Sequence, residues 1–120
     1  MLIPFDGKPI TCKIGGITFS VAAPTDETFL DMQVIDARYG KTSEERRALF
    51  EKEPLTGKKW RDECVNRLVV GWSGAQNRDG TEIPFPENGC ASLISYITKT
   101  RLINFFYNWD ELTPEDLKNS

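Results

Sequence analysis

The side chains able to do chemistry in this 120-residue chain are scattered carboxylates, three thiols and a serine in a glycine-flanked tetrapeptide. Adjacent acids occur at Glu44-Glu45, Asp62-Glu63, Asp110-Glu111 and Glu115-Asp116, and two of them converging in a pocket could serve as general acid and general base. They fall near helix starts or on polar helix faces, where solvated charge that favours the helix dipole is the simpler account. Gly71-Trp72-Ser73-Gly74 lacks the spacing of the Gly-x-Ser-x-Gly nucleophile elbow, because its second glycine comes one position early and it follows a helical pattern rather than a strand. There is no histidine, so neither a Ser-His-Asp nor a Cys-His arrangement can form, and the commonest neutral metal ligand is missing. Cys12, Cys64 and Cys90 are odd in number and widely spaced, which suits neither a disulfide framework nor a zinc site, and they read as small apolar residues in a reducing compartment. Asp79 and Glu82 beside Asn77 do not follow the ligand positions of an EF-hand, and neither a P-loop nor a Gly-x-Gly-x-x-Gly segment is present. The expectation is a protein without catalytic residues, cofactor or metal, and therefore not an enzyme.

Eighteen acids against fifteen bases leave a net charge of −3, which provides no electrostatic footprint for a nucleic-acid backbone or an anionic membrane. The bases Lys58, Lys59, Arg61 and Arg67 are interleaved with acids and read as one solvated helix face. Met1 to Asp6 lack the basic opening and apolar stretch of a signal peptide, and no later apolar run approaches the length of about 18 residues needed to span a bilayer. The chain reads as soluble and intracellular.

The elements that would position these residues follow from periodicity. Ile10, Cys12 and Ile14 alternate on one side of Gly15-Gly16, and Ile17, Phe19 and Val21 on the other, which is the pattern of a tight β-hairpin with one apolar face. Thr25 as N-cap, the acids Asp26 and Glu27, and Phe29, Met32, Ile35 and Tyr39 at intervals of three and four predict a helix over about 26–39, with Leu30 and Val34 widening its apolar face. Thr42-Ser43-Glu44-Glu45 has capping-box form and opens a charged helix that Pro54 ends. Trp60, Cys64, Val65, Leu68 and Val69 form a strong stripe on a third helix over about 57–71. Asp79-Gly80 marks a tight turn, and Pro84 and Pro86 keep the following segment extended. Helices are expected over about 88–98, carrying Ala91, Leu93, Ile94 and Ile97, and about 102–112, with a last short one opening at Thr113-Pro114. The predicted architecture is α+β and mostly α, a single domain over 1–120: a β-hairpin in 1–23, a compact bundle of about four to five helices in 24–112, and a short helix or tail in 113–120.

The run Leu102-Ile103-Asn104-Phe105-Phe106-Tyr107-Asn108-Trp109 is too dense in aromatics for all of it to face inward on one helix. Leu102, Ile103 and Phe106 suit the core. Phe105 and Trp109 share another face and are candidates for partner contact, as is the hairpin's apolar face of Ile17, Phe19 and Val21.

Taken together, Leu68 to Ala75, Asp79-Gly80-Thr81-Glu82-Ile83-Pro84-Phe85 and the aromatic helical region after them resemble the tail assembly chaperones of long-tailed bacteriophages. The likeness covers about residues 56–112 and rests on a helix leading to Gly71-Trp72, a glycine-containing loop and an apolar-Pro-Phe step, with Trp60, Trp72, Asp79, Gly80, Pro84 and Phe85 as its structural residues. The resemblance implies a morphogenesis factor in the host cytoplasm that binds the tape-measure protein, helps tail-tube protein assemble around it and is absent from the virion. Self-association is expected separately, from the surplus of aromatic residues. In many such phages a frameshift near the end of the gene makes a longer product, and Lys118-Asn119 is compatible with a slippery codon pair. The alternatives are another small phage protein-binding module, either a host-defence inhibitor or a minor tail structural protein, and an enzyme working with carboxylates alone.

Overall fold

The computed structural model describes residues 7–109. Strands β1 (Ile10–Ile14) and β2 (Ile17–Val21) form the expected antiparallel hairpin, in register from Ile10 opposite Val21 to Ile14 opposite Ile17. Gly15 and Gly16 make the turn at φ +57° and +85°, the left-handed pair that a two-residue connection of right-twisted strands requires. Helix α1 (Asp26–Ala37) begins where Thr25 Oγ1 accepts the Thr28 N–H at 3.3 Å. Helix α2 (Ser43–Lys52) begins where Thr42 Oγ1 accepts the Glu45 N–H at 3.1 Å. Glu45 reaches back one residue further than a standard capping box, accepting from the Lys41 N–H at 2.8 Å.

Pro54 does more than end α2: it occupies the first turn of helix α3 (Pro54–Leu68), where a missing N–H costs nothing. The helix expected to run to about residue 71 stops at Leu68, and Val69–Ser73 form a third strand, β3, antiparallel to β2 in the order β1-β2-β3. A bulge between Ser20 and Val21 absorbs the register shift at its start. The two helices expected over 88–98 and 102–112 are replaced by a single 3₁₀ turn at Ala91–Leu93 and one helix, α4 (Tyr96–Tyr107). Ser95 caps α4, accepting the Thr98 N–H at 3.2 Å. The helix expected to open at Thr113 lies outside the described residues, as do the acids at 110–111 and 115–116.

The architecture is α+β and mostly helical, as the periodicities predicted. One face of the sheet carries Cys12, Phe19 and Trp72 side by side across the three strands. Phe19 and Val21 meet Cys64, Val65 and Leu68 of α3, Leu102, Ile103 and Phe106 of α4, and Met32 and Ile35 of α1 in one continuous core. Phe29 closes it at the edge, its ring 5.0 Å from that of Phe106. Helix α2 contributes no buried residue and is held through Phe50, which lies 5.5 Å from the Trp60 ring and 6.2 Å from Tyr39. Among the described residues no helix is long and apolar enough to cross a membrane.

Candidate interaction surface

The segment that carries the resemblance closes into one structural unit. From β3 the chain passes Gly74 and returns through a small ladder in which the Asn77 N–H donates to Thr81 O at 2.8 Å and the Ile83 N–H to Ala75 O at 2.7 Å. Gly80, at φ +86°, turns the chain, while Asp79 Oδ1 accepts the Thr81 N–H at 2.9 Å. Hydrogen bonds from Thr81 hold the Asp79 carboxyl below the usual carboxylate range. The ladder returns Ile83, Pro84 and Phe85 to Trp72, whose Nε1–H donates to Ile83 O at 2.9 Å while Phe85 meets its ring edge-on, centroids 5.4 Å apart. On its other side Trp72 packs edge-to-face on Phe19 at 6.2 Å. Trp72 is thus delivered to the core margin by a strand rather than by a helix end. Trp60 has a comparable bracing role between α1 and α3, donating Nε1–H to Asp36 Oδ1 at 2.8 Å.

The side chains singled out from the sequence as partner contacts do not share one surface. Phe19 has 0% exposure and Val21 is equally enclosed, so the hairpin's apolar face is core and unavailable to a partner; α3 and α4 cover it. Ile17, at the hairpin tip, is half-buried against the same core. Phe105 and Trp109 are half-buried, with Phe105 leaning on the core from α4.

The apolar side chains that do face solvent lie elsewhere. Leu30 and Val34 on α1 are 60% and 56% exposed, a reversal of the expectation that they widen the buried face. A second group, Leu93, Tyr96 and Ile97, surrounds the start of α4, with the Arg61 guanidinium 4.4 Å above the Tyr96 ring. Nothing in residue type separates these positions from core leucines and valines. The missed signal is that α1 is apolar on both sides, a pattern that in a small domain calls for covering from outside as well as inside.

Two of the open cavities among the described residues lie between neighbouring helices, one between α2 and α3 and one between α1 and α3. One of about 410 Å³ is bounded by Ser43, Arg46, Arg47, Phe50, Glu51 and Trp60. The other, of about 340 Å³, lies between α1 and α3, and its two carboxylates are each engaged by an arginine, Asp31 with Arg67 at 2.7 Å and Glu63 with Arg38 at 3.3 Å. Among the described residues no group of three or more Cys, Asp or Glu is placed to hold a metal ion.

The thiols are all enclosed and unpaired with one another. Burial pushes Cys12 and Cys90 up to about 11, and burial aided by the Asp36 and Glu63 carboxylates pushes Cys64 up to about 12. A thiol reacts as thiolate, so the folded protein should leave all three unmodified by a disulfide reagent at mildly alkaline pH and titrate them only in denaturant. Rapid labelling of any one in the native protein would contradict the enclosure of that side chain.

No family model, no characterised protein and no solved structure matches the chain significantly.

Proposed function

We propose that the chain is a protein-binding module, and that the class it serves is virion morphogenesis. More particularly, it acts as a tail assembly chaperone of a long-tailed bacteriophage, binding the tape-measure protein in the host cytoplasm and promoting assembly of tail-tube protein around it. The observation that carries this reading is the closure of the resembling segment on itself. Trp72, Ile83 and Phe85, apart in the sequence, meet through a 2.9 Å hydrogen bond and a 5.4 Å ring contact, so the signature describes one folded unit. A binding role is also in keeping with the solvent-facing group Leu93, Tyr96 and Ile97, since clustered apolar side chains outside the core mark interaction sites.

The direct test is to co-express the chain with the tape-measure protein encoded in the same genome. A soluble complex that co-purifies, with the tape-measure protein insoluble alone, is the expected result, and Ile97→Asp should weaken co-purification while leaving the melting temperature in place. A tape-measure protein that stays soluble alone and never co-purifies overturns the reading, and a host-defence or minor structural role then takes its place.

A further inference from the structure

Helix α1 is apolar on both of its faces. Thr28, Met32 and Ile35 point inward and are buried, while Leu30 and Val34, one turn apart, point to solvent. Beside Val34 the α1–α3 groove is open, and Ile35 forms part of its wall. Charge along the outer face is polarised at its ends: the exposed Asp26 and Glu27 stand at the N-terminal end, and the exposed Arg38 and Lys41 at or just beyond the C-terminal end, while the half-exposed Asp31 between them is already paired with Arg67 at 2.7 Å. Acids at one end, bases at the other and two apolar side chains between them make a surface complementary to an antiparallel copy of itself. A two-fold axis midway between Leu30 and Val34 sets Leu30 against the partner's Val34, and Asp26 against the partner's Arg38, with each contact repeated by symmetry. Arg38 is free to serve in this way because its contact with Glu63, at 3.3 Å, is solvent-exposed and uses one of five guanidinium donors.

We propose that the outer face of α1 is a homodimer interface, and that its occupant is a second copy of this chain packed antiparallel across Leu30 and Val34. A helix of 12 residues spans only about 18 Å, so the contact is smaller than a standard interface and the dimer is a weak one, formed at micromolar to millimolar concentration. The dimer does not rest on the chaperone reading, and its test uses the purified chain alone, so its failure leaves that reading untouched.

Sedimentation velocity over a concentration series should show a monomer–dimer equilibrium. Val34→Glu should raise the dissociation constant at least about tenfold, because the charge would be buried at the symmetry axis, with the melting temperature of the dilute protein unchanged. Asp26→Lys and Arg38→Glu should each weaken the dimer by setting like charges opposite one another, and the double variant should recover most of the loss because the pairs re-form with reversed polarity. A chain monomeric at millimolar concentration, a dimer indifferent to Val34→Glu, or a double variant no tighter than the single ones would each overturn the proposal.

Discussion

Asp62→Ala is expected to destabilise the fold by about 3 kcal/mol, well beyond the effect of an ordinary surface substitution. Lys99 is 8% exposed on α4, and its ammonium sits 2.6 Å from Asp62 Oδ1, with Lys58 on the other carboxylate oxygen at 3.0 Å. Removing the carboxylate leaves a charge enclosed without its counterion, which costs more than the pair itself contributes. Lys99→Met should be milder, since a chain of similar length fills the space and Asp62 retains Lys58. Burial works against the ionised form of Asp62, but the hydrogen bonds from Lys99 and Lys58 outweigh it and hold the carboxyl below its usual range. A folded pKa below the unfolded value gives a stabilisation that is complete above about pH 4 and is lost as pH falls through the depressed value. Thermal melts on the acid side should therefore show the wild type losing its advantage over Asp62→Ala. An unfolding free energy from equilibrium urea curves lowered by less than about 1 kcal/mol in Asp62→Ala would show the pair to be effectively solvated.

The second large effect is Phe19→Ala, expected to cost about 4 kcal/mol because a fully enclosed ring is replaced by a cavity under the sheet. Phe19 touches the Trp72 edge on the sheet and belongs to the cluster formed with α3 and α4, so no single neighbour can collapse into the space. Phe105→Ala should cost less than half as much, since that ring is only half-buried. Equilibrium denaturation of the two variants separates a core role from a contact role on the hairpin face. A Phe19→Ala protein as stable as Phe105→Ala would return the hairpin's apolar face to the list of binding surfaces.

The parts of the fold legible in the sequence are those set by local chemistry. Alternation about Gly15-Gly16 specified the hairpin, and Thr25 and Thr42 specified two helix starts, because cap and turn geometry depends on a few adjacent residues. The strand β3 was hidden because Val69 continues the apolar stripe of Cys64, Val65 and Leu68, and a short apolar run reads equally as a helix turn or a buried strand. What decides between them is the vacant edge of β2, a contact distant in sequence. At α4 the informative residue was Ser95, a cap that begins the helix later than the apolar residues Leu93 and Ile94 suggested. The candidate surface was less legible still. Phe19 and Leu30 are both large and apolar, and only tertiary packing puts the first inside and the second outside.

Helix α3 runs into β3 with no intervening loop: Leu68 ends one and Val69 begins the other, and the Leu68 carbonyl accepts the Ala22 N–H at 2.7 Å. The hairpin can close from local contacts early in folding, but its third strand arrives only when the helix is seated, and any rotation of α3 about its axis would drag the strand out of register. Helix docking and sheet completion are therefore coupled through one loopless junction, so that a substitution loosening the seat of α3 is expected to loosen the β2–β3 pairing as well, read as faster amide exchange along β3.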